Sequence, residues 1–254
     1  MYGRFAAVYD KLMAGIDRDE WAKYLLSFLP EGPLAIADTA CGTGALTLPL
    51  ARAGHALTGL DASDEMLAVA AEKARLARLN IPFVLQRMED LALIRRADAI
   101  VCACDGVNYL TSLKAVDSFF RAARDNLRPG GKLLFDISSR YKLEKVLANN
   151  TFAEDEEGAA YIWTNEYDEV FRRIRMDVTF FERMRDGRYE RFMETHAQRA
   201  HSQRELTNAL RRAGFCDIRV YEAFTQDTPT QTSERLQFLA SVPERGEQWL
   251  KETI

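Results

Sequence analysis

Short apolar runs alternate with amphipathic stretches along the first half of the chain. The apolar runs have the length of buried strands and cover residues 34–38, 56–60, 82–86, 97–104 and 132–137. Between them, apolar residues recur at helical spacing in residues 17–29, 44–53, 63–79 and 113–127. Strands that alternate with helices in this way are joined by right-handed crossovers. The pattern therefore predicts an α/β fold with a mostly parallel sheet covered by helices on both faces.

The pattern changes after Ser138. Residues 160–200 alternate like strands, and a hairpin turn is predicted at Asp186-Gly187. A capping box formed by Ser202 and Glu205 then predicts a helix that ends near residue 214, followed by strands at 216–222 and 235–242. We therefore expect one domain built from residues 1–138 and 201–254, interrupted by a β-rich insertion at 139–200.

Composition narrows the functional classes. The chain has 254 residues, of which 47% are hydrophobic and 28% charged, as in globular proteins. The formal net charge of -4 argues against a broad nucleic-acid-binding surface. The N-terminus lacks the apolar core of a signal peptide, and no run approaches the roughly 18 apolar residues of a membrane span. We therefore expect a cytoplasmic protein without a membrane partner, and the oligomeric state stays open.

A glycine-containing turn follows the first predicted strand. Asp38 precedes Gly42 and Gly44, and a helical pattern begins directly afterwards. Glycines at such a turn allow the backbone to approach a ligand closely, beside the positive end of a helix. The dinucleotide-binding fingerprint requires a third glycine where this chain has Thr47. A carboxylate at Asp38 would repel a pyrophosphate, so the turn favours a ligand with a cationic group.

Asp61 closes the second predicted strand. A carboxylate at this position can accept hydrogen bonds from both hydroxyls of a ribose. The alternative is an acid near a helix N-terminus, because Ser63 is the predicted N-cap of the next helix. No metal site is predicted, since neither a second cysteine pair nor a histidine pair complements Cys102 and Cys104.

These residues together resemble the class I S-adenosylmethionine-dependent methyltransferases. The resemblance rests on Asp38-Thr-Ala-Cys-Gly42-Thr-Gly44, on Asp61 with the following Ala62 to Leu67, and on the turn at 128–131. It implies a Rossmann-like sheet, mostly parallel with an antiparallel end strand. It also implies S-adenosyl-L-methionine as the cofactor and S-adenosyl-L-homocysteine as the product.

A resemblance over nearly the whole chain points to the bacterial YqeM-type subgroup. It rests on Tyr9-Asp10 and on segments 104–110, 135–141, 186–199 and 233–236. It adds little about the methyl acceptor.

The resemblance implies a set of cofactor-binding residues: Tyr9, Asp38, Ala40, Gly42, Gly44, Asp61, Ala62, Met66, Met88, Glu89, Asp90, Cys104 and Asp105. The chain departs from the family pattern in the segment that contacts adenine. The family often has an acid directly before a methionine there, whereas this chain has Arg87 before Met88. Glu89 or Asp90 could supply the acceptor for the adenine amino group instead, and a solvated loop at 88–90 is the alternative.

The expected reaction is in-line displacement at the methyl group, in which the protein mainly desolvates and aligns a small-molecule acceptor. Tyr109 and His196 are the candidate catalytic residues, and a general base is needed only for an acceptor that loses a proton. The insertion 139–200 is expected to be an antiparallel β cap over the acceptor, and residues 1–16 a lid. Candidate acceptor-binding residues are Tyr109, Arg140, Trp163, His196 and Arg199.

Several rival functions stay open. A protein or RNA methyltransferase is compatible with the sequence, although the chain lacks the Pro-Pro-aromatic motif typical of base-amine methylation after the fourth strand. A nucleotide-binding oxidoreductase is disfavoured by the missing third glycine. A non-catalytic binding protein is disfavoured by the complete set of Asp38, Gly42, Gly44 and Asp61.

Overall fold

The computed structural model describes residues 10, 15, 17–156, 158–184 and 186–244. Its helices are α1 (Arg18–Leu26), α2 (Thr47–Arg52), α3 (Asp64–Leu76), α4 (Leu113–Asn126) and α5 (Gln203–Ala213). Its strands are β1 (Ala35–Thr39), β2 (Ala56–Asp61), β3 (Phe83–Leu85), β4 (Ala97–Cys102), β5 (Leu127–Ser138), β6 (Thr151–Glu156), β7 (Ala159–Asp168), β8 (Arg173–Arg183), β9 (Tyr189–Arg199), β10 (Cys216–Glu222) and β11 (Arg235–Ser241). No described helix is long and apolar enough to cross a membrane.

A 7-stranded sheet forms the centre of the molecule, in the order β10-β11-β5-β4-β1-β2-β3. The neighbouring strands from β5 to β3 run parallel, and β11, the last of the described strands, is antiparallel to both β5 and β10. Strand order reverses between β1 and β4, and ligands of open α/β sheets bind at the carboxyl ends of the strands beside such a reversal. The predicted fold class is confirmed.

The two faces of this sheet bury separate apolar clusters. Phe119 and Phe120 of α4 and Leu210 of α5 pack with Phe135 on one face. On the other face, Leu25 of α1 and Leu50 of α2 pack with Leu134. Successive residues of β5 thus serve opposite faces, as the period of two in a strand requires. Burial on both faces explains why most side chains of the central strands are apolar.

Local capping sets the helix boundaries. The Ser63 hydroxyl accepts from the Met66 N–H at 3.2 Å and begins α3. The predicted capping box at Ser202 and Glu205 is present, and Gly214 ends α5 with a φ of 94°. The predicted helix at 44–53 begins later, at Thr47, because residues 40–44 form the glycine turn.

A separate 4-stranded antiparallel sheet has the order β6-β7-β8-β9. The predicted hairpin joins β8 to β9. One face carries Tyr161, Trp163, Phe180 and His196, because residues paired across the strands share a side. The sequence did not predict β6 or the π-helical turn Lys142–Leu147, which packs its leucines against this sheet.

Candidate active site

The turn between β1 and α2 has two different sides. Ala40, Gly42 and Gly44 all have positive φ values, of 54°, 54° and 73°. A Cβ on Gly44 would lie 2.9 Å from Leu48 and 3.2 Å from Ala70, so glycine is required for packing there. A Cβ on Gly42 would instead enter open space. The turn therefore packs on α2 and α3 on its Gly44 side and leaves open space, called the groove below, on its Gly42 side.

Asp61 stands beside this groove at the carboxyl end of β2. Its two carboxylate oxygens accept from the Gly42 N–H at 2.8 Å and from the Ser63 N–H at 2.9 Å. Burial raises the pKa of Asp61, and the backbone N–H groups oppose that rise. The carboxylate therefore orders the glycine turn and is half-buried. Its contact with a ribose stays a prediction.

Asp38 lies beneath the same turn and is only 3% exposed. The Thr47 hydroxyl donates to its carboxylate at 2.6 Å, so this acid joins β1 to the start of α2. Burial raises the pKa of Asp38 to about 7. Contact between Asp38 and the ammonium group of a ligand stays a prediction.

This buried acid has a consequence for stability. Its folded-state pKa lies above its ordinary value, so the folded protein takes up a proton that the unfolded chain releases. The free energy of unfolding should therefore fall as the pH rises from about 4 to about 7. Asp38→Asn removes this titration, and its amide oxygen can still accept from Thr47.

We compare the free energy of unfolding of Asp38→Asn with that of the wild type. The difference should shift in favour of the variant by a few kcal/mol from pH 5 to pH 8, since one pKa unit corresponds to about 1.4 kcal/mol. Urea unfolding at both pH values measures the difference. The exposed Asp64→Asn is the control and should show no such gain. Parallel pH profiles for the wild type and Asp38→Asn would contradict the assignment.

The segment predicted to contact adenine forms a short 3-10 helix, Met88–Asp90, after β3. Met88 packs against the core, whereas Asp90 is exposed. Glu89 forms an ion pair with Arg87 at 2.5 Å. Met66, at the start of α3, is buried and packs with Phe180 of the smaller sheet. Which acid accepts from adenine stays a prediction.

The loop after β4 is held in an uncommon backbone conformation. Cys104 and Asp105 have φ values of 56° and 52°, in the left-handed region that side chains rarely adopt. The Asp105 carboxylate accepts from Arg235 at 2.9 Å and from Gln198 at 2.6 Å. Arg235 also pairs with the buried Asp136, which accepts from the Asp105 N–H at 3.1 Å. Strands β5, β9 and β11 thus fix this loop together.

A cavity of about 1000 Å³ opens beside this loop. It lies between α1, the loop after β4 and the face of the smaller sheet described above. Among the predicted site residues, its lining includes Cys104, Asp105, Tyr109, Trp163 and His196. The structure therefore brings residues from both halves of the predicted site to one space.

Tyr109 and His196 meet across this cavity. The Tyr109 hydroxyl lies 3.5 Å from His196 Nδ1, and the two rings are perpendicular with centroids 6.0 Å apart. Burial lowers the pKa of His196, which keeps the imidazole neutral at pH 7. A neutral imidazole can accept a proton.

Two predicted acceptor-binding residues, Arg140 and Arg199, lie outside the lining of this cavity. Arg140 Nε donates to Glu144 at 2.7 Å, and Arg199 Nη2 to Glu205 at 3.2 Å. Both guanidinium groups therefore have carboxylate partners within the chain.

The predicted lid, residues 1–16, falls mostly outside the described residues, and so does Tyr9. The described Asp10 contacts the glycine turn: it accepts from the Thr43 hydroxyl at 2.7 Å and from Lys73 at 2.8 Å. This part of the N-terminal segment is thus attached to the cofactor side of the molecule.

Thr47, Gln198 and Arg235 have structural roles at the site that the sequence analysis missed. Gln198 and Arg235 both fall within segments that carry the subgroup resemblance, which was the available signal. Their contacts with Asp105 span 93 and 130 residues of sequence, and local spacing does not reveal such pairs.

Comparison with known proteins identifies the family of the chain. A family model described as a methyltransferase domain matches residues 36–131. The curated "Putative methyltransferase YqeM" of Bacillus subtilis is 37% identical over 94% of this chain and 96% of its own length. The crystal structure of an S-adenosylmethionine-dependent methyltransferase from Clostridium acetobutylicum has 30% identity and a TM-score of 0.86, covering 95% of this chain and 99% of that one.

The chain therefore belongs to the class I S-adenosylmethionine-dependent methyltransferases. A more distant structure, an amino pentose methyltransferase from Micromonospora echinaspora, shares the fold at 22% identity, with a TM-score of 0.72. It covers 92% of this chain and 96% of that one.

Proposed function

We propose that this methyltransferase acts on a small-molecule acceptor that binds in the 1000 Å³ cavity. The observation that carries the proposal is the position of the cavity next to the cofactor turn. A Cβ on Gly106 would lie 3.2 Å from the Cβ of Ala40, so the loop after β4 touches the glycine turn. The same loop contributes Cys104 and Asp105 to the cavity lining.

The residues present fit S-adenosylmethionine. Gly42 leaves space where a side chain would enter the groove, and Asp61 offers a carboxylate to the ribose. A cationic amino-acid group bound beside the turn would favour the ionised form of the buried Asp38, whose pKa burial raises to about 7. When bound, the cofactor supplies a methyl group on a sulfonium, an activated donor whose sulfur takes the electron pair of the breaking S–C bond.

The chain's own residues then have to align the acceptor and exclude water. We assign this role to the cap sheet within residues 139–200, whose aromatic face closes the cavity, and to the rigid loop at Cys104 and Asp105. Gln198 bonds to Asp105 and so joins the cap to the cofactor side. Displacement of the methyl group requires the acceptor atom and the donor to lie in line, which such a fixed frame provides.

We further propose that His196 takes the proton when the acceptor carries one to lose. Its pKa is lowered by burial, so the imidazole stays neutral until the pH falls below its ordinary range. The rate should therefore fall with decreasing pH as the imidazole becomes protonated. His196→Asn should lower kcat by about a hundredfold at pH 7 and abolish this acidic limb.

Transfer of labelled methyl groups into a collection of small molecules identifies an acceptor, and its kcat against pH tests the role of His196. Thr195→Ala, on the other face of β9, is the control and should keep the wild-type profile. An unchanged acidic limb in His196→Asn would exclude the histidine as the base. Transfer only into protein or RNA would overturn the small-molecule proposal.

A further inference from the structure

We infer that the acceptor is a molecule that carries an aromatic ring system and no negatively charged group. This inference rests on the proposed function, because it concerns the occupant of the same cavity. Two features of the cavity support it: the side chains that form the lining, and the carboxylate partners of the cationic side chains in that lining.

Aromatic side chains from separate parts of the chain line the cavity. They come from α1, the loop after β4, and strands β7 and β8: Trp21, Tyr24, Tyr109, Tyr161, Trp163 and Phe180. Met176 and Val178 add further apolar surface. Planar rings of a ligand gain from offset-stacked and edge-to-face contacts with such side chains, in addition to the burial of apolar area.

Aromatic contacts hold both sides of the cavity in place. On the α1 side, the rings of Trp21 and Phe224 are in edge contact, with centroids 5.1 Å apart. On the cap side, Phe180 stacks on Phe192 at 5.1 Å and lies 6.3 Å from Tyr161. The lining is therefore supported by further rings, as a site that binds a flat ligand requires.

The cationic side chains described in the lining already have carboxylate partners. Lys23 pairs with Glu20 at 2.6 Å, and Lys142 lies 3.7 Å from Glu234. Arg235 is held by Asp105 and Asp136, as described above. His196 is neutral at pH 7 because burial lowers its pKa. No described cation of the lining is thus left to balance a phosphate or a carboxylate on the acceptor.

The aromatic lining and the paired cations together determine which kind of acceptor binds favourably in the cavity. An anionic group that entered this cavity would lose its hydration without gaining a dedicated counter-charge, which is costly. A sugar that carries no aromatic ring would place its hydroxyl groups against aromatic carbon atoms, which do not replace their hydrogen bonds to water. An uncharged aromatic molecule avoids both costs and gains from the area that it buries.

Two probes that share a naphthalene ring, one neutral and one anionic, test the inference: 2-naphthol and 2-naphthyl phosphate. Their dissociation constants are measured by quenching of tryptophan fluorescence with S-adenosylhomocysteine present, and D-glucosamine is titrated by calorimetry. We expect 2-naphthol to bind at least about tenfold more tightly than either other compound, reflecting the cost of burying an unpaired charge. The inference would be overturned if 2-naphthyl phosphate bound as tightly as 2-naphthol or more tightly, or if D-glucosamine bound more tightly than 2-naphthol.

Variants on one strand supply the internal control. Tyr161→Ala should weaken 2-naphthol binding about fivefold or more through lost aromatic contact. Ile162→Ala, the next residue on the opposite face of β7, should change it less than about twofold, because that side chain is exposed outside the cavity. Equal effects of both substitutions would contradict the assignment.

The affinity for S-adenosylhomocysteine is measured in the same experiment. A protein that does not bind S-adenosylhomocysteine would contradict the proposed function itself. A protein that binds S-adenosylhomocysteine but shows no preference for 2-naphthol would contradict only the inferred acceptor class.

Discussion

Asp61→Ala should lower the affinity for S-adenosylhomocysteine by roughly a thousandfold. A carboxylate that grips both ribose hydroxyls makes two charge-assisted hydrogen bonds, and their loss costs on the order of 4 kcal/mol. The substitution also removes the acceptors of the Gly42 and Ser63 N–H groups, which order the turn. Calorimetric titration of the wild type and the variant measures the change directly.

The contribution of the ribose can be separated from that of the turn. The wild type should bind adenosine more tightly than 2′,3′-dideoxyadenosine, and Asp61→Ala should bind the two equally. Ser63→Ala removes the cap of α3 but keeps the Asp61 carboxylate, so it should retain the preference. An Asp61→Ala variant that still distinguishes the two nucleosides would refute the assignment of Asp61 to the ribose.

Arg235→Met should destabilise the protein by about 3 to 5 kcal/mol. The substitution leaves the carboxylates of Asp105 and Asp136 without their shared cation, and Asp136 is only 1% exposed. For a chain of this length the melting temperature should fall by roughly 10 °C. Thermal and urea unfolding measure the loss.

The pH dependence of this loss identifies its cause. Arg235 lowers the pKa of Asp136 against the effect of burial, so that pKa should rise further in the variant. A raised folded-state pKa of an acid means that stability declines as the pH rises through it. The deficit of Arg235→Met should therefore be smaller at pH 5 than at pH 8.

Arg212→Met is a matched control. Arg212 is half-exposed and pairs with Asp117 on the surface, so its loss should cost less than about 1 kcal/mol at either pH. A deficit of Arg235→Met as small as that of the control would show that the buried pair contributes little to the fold.

The features that follow local rules could be predicted from the sequence. The alternation of apolar runs and helical spacing predicted the order of strands and helices, and the capping box at Ser202 and Glu205 was found as predicted. The glycine turn followed from conformational rules that act over a few residues, and its Gly42 and Gly44 have the positive φ values that favour glycine.

Other features depend on contacts between distant segments. The turn Lys142–Leu147 is stabilised by packing of Leu143 and Leu147 on Ile174 and Met176 of β8, which its own sequence does not encode. Arg140 and Arg199 were predicted as acceptor-binding residues, whereas their carboxylate partners became visible only in the folded chain. The cavity itself is created by the approach of the cap sheet to α1.

A crystal structure with S-adenosylhomocysteine bound tests the assignment of both halves of the site. We expect the ribose hydroxyls to contact Asp61 and the sulfur to face the cavity beside Cys104 and Asp105. The space in front of the sulfur should then be lined by Tyr109 and His196. A sulfur atom that faces away from this cavity, or a ribose held elsewhere than at Asp61, would show that the site is assigned wrongly.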